Sequence, residues 1–339
     1  MSRIRNLLLP FGFIAGISAA LAALWIRQGR ANRSALASNA AELMWQALRQ
    51  LNVAAEARLI AVNGLELHTI VAGPLDGPLV VLLHGFPENW YTWRKQIKPL
   101  VDAGYRVVVP DQRGYNLSDK PQGIHSYRLE ALSADVVELI RSFEREKAIV
   151  VGHDWGGVVA WHLAMHHPAV VEKLIVLNAP HPATYLREIR DNPAQQRKSW
   201  YVGFFQVPIV PEELIGHDPI ESARFFFRRG AINQEAFNSF DIHVMATAIA
   251  QPDALTSMLN WYRAVVRDRA TLENIRPISA PTLLIWAEDD AALGRSLTYG
   301  LEPWISSLKI HYIPHCGHWV QNEAPEEVNA ELLAFLQKA

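Results

Sequence analysis

The stretch Val150-Val151-Gly152-His153-Asp154-Trp155-Gly156-Gly157 decides how this chain folds and what chemistry it can perform. Its first residues are typical of a buried strand, and the small residues Gly152 and Gly156 flank Asp154. This spacing predicts a sharp turn from a strand into a helix, which projects one nucleophilic side chain from the edge of a sheet. A carboxylate at such a turn indicates attack on a saturated carbon, because an ionised aspartate needs no base to become a nucleophile.

Apolar runs on both sides of this turn predict a mostly parallel sheet. Asn63-Gly64 separates the first two runs and predicts an antiparallel hairpin. The later runs are short and rich in Leu, Ile and Val, and helical patterns separate several of them, as expected for strands buried on both faces. The eight predicted strands are 58–62, 65–72, 79–83, 106–109, 148–151, 174–177, 282–286 and 309–313. The sequence therefore predicts an α/β fold with helices flanking an eight-stranded sheet.

The alternation of strands and helices stops between residues 181 and 278, where helical segments and aromatic clusters follow one another. The simplest interpretation is a helical cap inserted into the sheet domain. We expect the aromatic side chains of the cap, Phe205 among them, to line a pocket between cap and core. The predicted units are a hydrophobic segment at 1–33, an amphipathic helix at 34–56, the first part of the core at 57–180, the cap at 181–278 and the second part of the core at 279–339.

The N-terminal segment contains an uncharged run from Leu7 to Ile26. As a helix it would be about 30 Å long, which is enough to cross a bilayer, so we expect a single-pass membrane anchor. The alternative is export followed by cleavage near Ala35-Leu36-Ala37. The segment 34–56 is predicted to lie on the membrane or to dock on the catalytic domain through one face, formed by Met44, Trp45, Leu48 and Leu51.

Composition excludes several classes of protein. The 32 basic and 34 acidic residues give a net charge of −2, so no positive field recruits nucleic acid. The single cysteine, Cys316, excludes an intrachain disulfide and a CxxC metal or redox site. The phosphate-binding glycine motifs and HExxH are missing from the sequence, so no nucleotide cofactor and no metal are implied.

Two sites after the turn complete the order nucleophile, acid, histidine. The strand 282–286 leads into Glu288-Asp289-Asp290, at the strand end where open α/β sheets place functional groups. We choose Asp290 as the acid, with Asp289 and Glu288 as alternatives. His318 follows the last strand and is the predicted general base, held in orientation by the acid.

Hydrolysis of an ester on Asp154 also needs an oxyanion hole. The loop His84-Gly85-Phe86-Pro87 follows the third strand and can aim the Phe86 amide at the ester, and the Trp155 amide comes from the turn itself. Both predicted donors are backbone groups. His84 and His153 are expected to support these loops rather than take part in the chemistry.

With these motifs the chain resembles the α/β-hydrolase-fold epoxide hydrolases, in the branch similar to soluble epoxide hydrolase and its membrane-anchored relatives. The resemblance covers about residue 56 to the C-terminus. It implies Asp154 as the nucleophile, Asp290 as the acid and His318 as the base. The matching stretches are HGFPENWYTWR at 84–94, DQRGYNLSDKP at 111–121, GHDWGG at 152–157, IWAEDD at 285–290 and CGHW at 316–319.

The resemblance further implies two cap tyrosines that hydrogen-bond to the epoxide oxygen and protonate it as the ring opens. Tyr201, in SWYVGFFQVP, and Tyr262, in LNWYRAVVR, match these positions, and Phe204 is the alternative for the first because it lies one helical turn away. The expected reaction converts a small hydrophobic epoxide and water to a vicinal diol. The residues expected to contact the substrate are Trp155, Phe205 and Trp319.

Two other functions compete with this interpretation. Haloalkane dehalogenases resemble the chain at the turn, but they typically hold halide with Asn in an HGNP loop, where this chain has Phe86, together with the tryptophan after the nucleophile. Haloacetate dehalogenases place arginine after the nucleophile, where this chain has Trp155. A catalytically idle member that binds a lipid or a partner protein is the alternative of another class, and the complete triad argues against it.

Overall fold

The computed structural model describes residues 19–337, with side chains from residue 24 onward. Its sheet has the order β1-β2-β4-β3-β5-β6-β7-β8; β2 is antiparallel to β1 and β4, and all other pairs are parallel. All eight predicted strands are present, which confirms the α/β fold with its opening hairpin. The strands are β1 (Ala55–Val62), β2 (Leu65–Ala72), β3 (Leu79–Leu83), β4 (Arg106–Pro110), β5 (Ala148–His153), β6 (Val171–Leu177), β7 (Thr282–Ala287) and β8 (Leu308–Ile313).

Two helices precede the sheet, α1 (Ala19–Ala37) and α2 (Ala40–Arg49). The prediction of one helix over 34–56 is therefore wrong. The helix is interrupted at Ser38 and Asn39, which form a turn. The Ser38 hydroxyl donates to the Ala35 carbonyl at 2.8 Å, as short polar side chains often do at helix ends, where they compete for backbone groups. The predicted span 7–26 lies mostly outside the described residues; within 19–337, no helix combines the length and hydropathy needed to cross a bilayer.

Helix α2 docks on the core domain. Its buried face carries Met44, whose sulfur accepts a hydrogen bond from the Trp90 indole at 3.3 Å, and Leu48. Just after α2, Gln50 accepts a hydrogen bond from the Tyr91 hydroxyl at 3.0 Å. Trp45, which we expected on the same face, is instead 59% exposed, because it follows Met44 by one residue and points away from the core.

The core helices flank strands whose side chains are buried on both faces. Strands β3, β4 and β5 are buried along their whole length, as their continuous apolar runs predict. The Val-, Leu- and Ile-rich sequences of these strands supply the interior that holds the strand ends, and hence the catalytic side chains, in fixed positions. The first core helices are α3 (Arg94–Asp102), α4 (Leu129–Ser142) and α5 (Trp155–His166).

The segment between β6 and β7 is helical throughout its regular parts, as expected for an inserted cap. It includes a π-helical turn at Arg224–Arg229, and α12 contributes Trp261 and Tyr262 to the buried interior. The helices are α6 (Pro182–Asp191), α7 (Pro193–Lys198), α8 (Trp200–Phe204), α9 (Val210–His217), α10 (Pro219–Ala223), α11 (Ser239–Ala250), α12 (Ala254–Arg267) and α13 (Arg269–Glu273). After the last strand, α14 (Val320–Glu323) and α15 (Pro325–Leu336) complete the core.

The N-terminal helix α1 packs on the cap through α9. The Trp25 ring stacks on His217 with ring centroids 4.0 Å apart, and the Asn32 side chain donates to the His217 carbonyl at 3.1 Å. The two helices approach closely at Gly29, where a Cβ atom would lie 3.1 Å from the His217 Cα and would push His217 back slightly. One turn further along α1, Arg33 lies 3.7 Å from Glu213. Helix α1 is therefore part of the folded protein.

Candidate active site

Asp154 occupies the turn between β5 and α5 that the sequence predicts. Its φ of 49° lies in the left-handed region, which is unfavourable for a non-glycine residue and is held here by the surrounding backbone. A Cβ atom at Gly152 would lie 2.3 Å from the Gly156 carbonyl oxygen, so the turn can close only with a glycine at that position. The side chain of Asp154 is 17% exposed, which leaves the carboxylate accessible from the interior of the site.

The structure brings Asp154, Asp290 and His318 together. His318 Nδ1 lies 2.7 Å from Asp290 Oδ2, and its Nε2 lies 3.7 Å from Asp154 Oδ2. Of the two alternative acids, Glu288 pairs with Arg295 and Asp289 lies 3.9 Å from His315. Asp290 is thus the member of the acidic trio that contacts the histidine.

Asp290 is fixed by hydrogen bonds from three directions. Asn178, which follows β6, donates to Asp290 Oδ2 at 2.7 Å and accepts from the Ala287 amide at 2.9 Å. The amides of Ala292 and Leu293 donate to Oδ1 at 2.7 and 2.9 Å. Although burial alone would raise it, the charge of His318 and these hydrogen bonds lower the pKa of Asp290. Asn178 was not among the predicted site residues, although it is a polar residue at the end of β6, the strand next to β5.

The charges at the site depend on one another. Burial alone would lower the pKa of His318, but the Asp290 carboxylate outweighs it and, with a smaller contribution from Asp154, raises the pKa to about 9. Burial raises the pKa of Asp154, an effect that His318 and the neighbouring amides oppose. In the resting site at neutral pH, an imidazolium therefore faces the nucleophile, and its charge favours the ionised carboxylate.

Two backbone amides act on the Asp154 carboxylate. The Phe86 N–H donates to Oδ1 at 2.9 Å, and the Trp155 N–H, at the start of α5, also favours the charged form of the side chain. The loop comes this close because residue 85 is glycine, where a Cβ atom would lie 2.4 Å from the Asp154 Cβ. The two predicted oxyanion donors therefore converge on one carboxyl group.

A buried ion pair, Glu88 with His153, supports both loops of the site. His153 Nδ1 lies 2.8 Å from Glu88, and its Nε2 donates to the His318 carbonyl at 2.9 Å. Glu88 also accepts from the Gly85 amide at 2.7 Å, from Gln321 at 3.0 Å and from the Thr92 hydroxyl. Both nitrogens of His153 therefore face acceptor oxygens, one of Glu88 and one of the His318 backbone. His153 thus supports the site, as expected, and Glu88 is its missed partner.

The two cap tyrosines lie beside each other, close enough to Asp154 for its charge to act on both phenols. Tyr201 on α8 and Tyr262 on α12 have ring centroids 6.0 Å apart with planes at 83°, and Tyr262 also contacts the Phe86 ring at 5.3 Å. Burial, and then the nearby Asp154 charge, raise the pKa values of both phenols well above the ordinary value. Both are therefore protonated donors. Phe204, the alternative to Tyr201, contacts the rings of Trp200 and Phe205.

Aromatic side chains surround these donors. The Phe205 ring centroid lies 4.9 Å from that of Tyr262 and 5.4 Å from that of Phe86. The Trp155 ring centroid lies 4.8 Å from that of Tyr262. Trp319 packs on His318 at 4.8 Å, and its indole donates to the Phe226 carbonyl at 2.9 Å. The three residues predicted to contact substrate thus lie around the triad and the tyrosine pair. Between residues 19 and 337, no group of three or more His, Cys, Asp or Glu side chains is placed to hold a metal ion.

This arrangement provides a carboxylate nucleophile, a histidine–carboxylate pair, two amide donors and two phenol donors within one apolar enclosure. Comparison with protein families gives a match to the alpha/beta hydrolase fold over residues 78–216. The chain is 46% identical to AB hydrolase superfamily protein YfhM of Bacillus subtilis, over 83% of this chain and 97% of that protein. It is 36% identical to epoxide hydrolase 1 of Caenorhabditis elegans, over 84% of this chain and 70% of that protein.

Solved structures similar to this one include epoxide hydrolases. The epoxide hydrolase of Bacillus megaterium, crystallised with an inhibitor, superposes with a TM-score of 0.77 at 31% sequence identity. The alignment covers 83% of this chain and all of that one.

Proposed function

The chain belongs to the epoxide hydrolases of the α/β-hydrolase fold, and we propose that it converts a hydrophobic epoxide to a vicinal diol through a covalent ester on Asp154. The observation that carries this proposal is the placement of Asp154, the two amide donors and the two phenols. The nucleophile and its two amide donors belong to the core, and the two phenols face them from the cap.

In the first step, a carboxylate oxygen of Asp154 attacks one epoxide carbon, and the bond from that carbon to the ring oxygen breaks. The leaving oxygen stays attached to the substrate and develops alkoxide charge. Tyr201 and Tyr262 stabilise this charge by hydrogen bonding, and one of them supplies a proton. Both phenols can do so because their raised pKa values keep them protonated. The product of this step is an alkyl ester of the enzyme.

In the second step, water attacks the carbonyl carbon of that ester. His318 takes a proton from the water through Nε2, while Asp290 holds Nδ1 and stabilises the imidazolium that forms. The Phe86 and Trp155 amides stabilise the oxyanion of the tetrahedral intermediate. Collapse of the intermediate expels the second diol oxygen, which takes the proton of the carboxyl hydroxyl, and restores the Asp154 carboxylate with one oxygen from water. The proton held by His318 returns to the tyrosinate formed in the first step.

The decisive experiment follows the oxygen atoms. Turnover in water labelled with heavy oxygen should place the label in the Asp154 side chain over repeated cycles, detected in the peptide that contains residue 154. Label found only in the diol, after many turnovers, would refute the ester. Halide release from haloalkanes and haloacetate, tested in parallel, distinguishes the dehalogenase alternatives that share this nucleophile.

We also propose that residues 7–26 attach the enzyme to a membrane through one N-terminal helix. The support is the uncharged sequence of that run. Retention of the segment is favoured over cleavage near Ala37, because cleavage would remove Trp25, Gly29 and Arg33, which pack on α9. Expression of the full chain followed by alkaline extraction of membranes tests this proposal, which fails if the protein is released into the supernatant. A substrate that partitions into lipid would suit such a location.

A further inference from the structure

Arg263, the residue after Tyr262 on α12, has a hydrogen-bond acceptor for every N–H group of its guanidinium. It is buried, with 6% of its surface exposed. Nε donates to the Phe205 carbonyl at 3.0 Å, and Nη2 donates to the Val207 carbonyl at 3.0 Å. Glu212 accepts from Nη1 at 2.7 Å and from Nη2 at 3.1 Å, and Asn260 accepts from Nη1 at 3.4 Å. A guanidinium has five N–H donors, so none is left over.

These bonds connect α12 to the end of α8, the helix that carries the other tyrosine. Helix α8 has only five residues, too few to hold its shape without outside contacts. The Phe205 amide donates to the Tyr201 carbonyl at 2.9 Å, and the Phe205 carbonyl accepts from Arg263. One residue therefore separates Arg263 from the backbone of Tyr201.

A second bridge runs beside the first. The Gln206 side chain donates to the Val202 carbonyl at 3.0 Å and to the Tyr262 carbonyl at 3.4 Å. It adds a neutral link between the same two helices. The charged link through Arg263 is the stronger of the two, because hydrogen bonds to an ionised donor are about twice as strong as neutral ones.

We infer that Arg263 is a positioning residue that sets the distance and angle between Tyr201 and Tyr262, with Glu212 fixing its guanidinium. This inference rests on the proposed roles of the two tyrosines. Both phenols must reach one epoxide oxygen, and a displacement of about 1 Å in such an arrangement can cost about 100-fold in rate. Lysine cannot replace arginine here, because an ammonium group is a single point and cannot span two carbonyls and a carboxylate.

The test separates the two chemical steps in Arg263→Lys by quenched-flow mass spectrometry of the enzyme. We expect ester formation to slow about 10- to 100-fold, while ester hydrolysis stays within about 2-fold, because His318 and Asp290 belong to the core. Arg224→Lys is the matched control, since Arg224 is a cap arginine in an exposed pair with Glu221, and it should change neither rate. An equal loss in both steps of Arg263→Lys would contradict the inference.

A double-mutant cycle with Tyr201→Phe shows whether Arg263 acts through the tyrosine. The double variant should form ester no more than about 3-fold more slowly than Tyr201→Phe alone. Displacing the Tyr201 phenol and removing it both abolish the same hydrogen bond to the ring oxygen. Losses that multiply would overturn the inference. If Tyr201→Phe itself leaves ester formation unchanged, the proposed tyrosine role fails; if only Arg263→Lys has no effect, this inference alone fails.

A second variant covers the case in which Arg263→Lys does not fold, as judged by circular dichroism. Glu212→Gln keeps an acceptor beside the guanidinium but removes the charge that orients it. We expect a loss of about 3- to 10-fold in ester formation with unchanged hydrolysis, and the same lack of additivity with Tyr201→Phe. Unchanged ester formation in Glu212→Gln would then count as refutation.

Discussion

The imidazole of His318 lies 3.7 Å from the carboxylate of Asp154, measured between Nε2 and Oδ2. This separation exceeds a hydrogen bond but is short enough for strong attraction between charges. His318 is instead hydrogen-bonded to Asp290 at 2.7 Å. The charge of His318 thus favours ionised Asp154 without a direct hydrogen bond to it, and Oδ2, unlike the Oδ1 atom that accepts from Phe86, is left available for the proposed attack.

Replacement of His318 should trap the covalent intermediate. In His318→Gln the first step keeps its nucleophile and its phenols, but no base activates water for the second. We expect intact-protein mass spectrometry to show one added substrate mass after incubation with a reactive epoxide. Asp154→Asn is the control and should show no adduct. Several reactive epoxides that all leave His318→Gln unmodified would contradict the mechanism.

Ester hydrolysis should depend on pH through His318. The pKa of about 9 applies to the resting enzyme, in which the Asp154 charge contributes to the upward shift. Ester formation removes that charge, so the pKa must fall in the intermediate, and only the neutral form, above that pKa, acts as base. Single-turnover hydrolysis should therefore accelerate with rising pH and level off at an apparent pKa below that of the resting enzyme. A rate that is flat from about pH 6 to about pH 9 would exclude His318 as the base.

Loss of one phenol should affect ring opening more than hydrolysis. Tyr262→Phe removes a hydrogen bond to the leaving oxygen but leaves the amides of Phe86 and Trp155 in place. We expect ester formation to slow about 100-fold or more, with little change in hydrolysis, since general-acid groups contribute about 10²- to 10⁴-fold. Single-turnover measurements of both steps provide the check, and an equal effect on both would contradict the assigned role.

Glu88→Gln should destabilise the protein despite its small change in shape. Each neighbour of this carboxylate donates to it: the Gly85 amide, Thr92, His153 and Gln321. An amide NH₂ group would face these donors and leave some of them without an acceptor inside the protein, at a cost of about 3 kcal/mol. Urea denaturation measures the effect, and the exposed Glu302→Gln should unfold like the parent protein. Equal stability of the two variants would show that the buried charge is dispensable.

Two truncations should show how much α1 contributes to stability apart from the residues before it. Removal of residues 1–18 keeps α1 and the contacts of Trp25 and Arg33 with α9, so this variant is the reference for thermal stability. Removal of residues 1–38 exposes this face of the cap and should cost about 2 kcal/mol, roughly the burial of one large side chain. It should also slow ester formation, because α9 carries Glu212. Two truncations of equal stability would contradict the docking of α1.

The sequence was sufficient to predict the sheet and the turn that carries Asp154, because both depend on local patterns. Each strand is a short apolar run ended by turn residues, and Asp154 sits between glycines that the backbone requires. His318 and Asp290 were predictable as residues that follow strands. The same rule applied to β6 would have drawn attention to Asn178, which holds Asp290.

Long-range pairing explains what the sequence did not reveal. Glu88 and His153 are 65 residues apart, and Arg263 contacts residues 51 to 58 positions away, so no local pattern connects them. The break between α1 and α2 was missed for another reason. The apolar residues on its two sides continue nearly in phase, and the two short polar residues at 38 and 39 interrupt the helix without proline or glycine.

The division of the catalytic groups between two structural units has a consequence for self-protection. Asp154 belongs to the sheet, whereas the phenols that assist departure of the ring oxygen belong to an insertion with its own helices. If that insertion moved away from the core, it would withdraw the phenols of Tyr201 and Tyr262 from the Asp154 carboxylate. On the proposed mechanism, the carboxylate would then meet an electrophile without a proton donor, so alkylation of Asp154 should be fast only while cap and core are in contact.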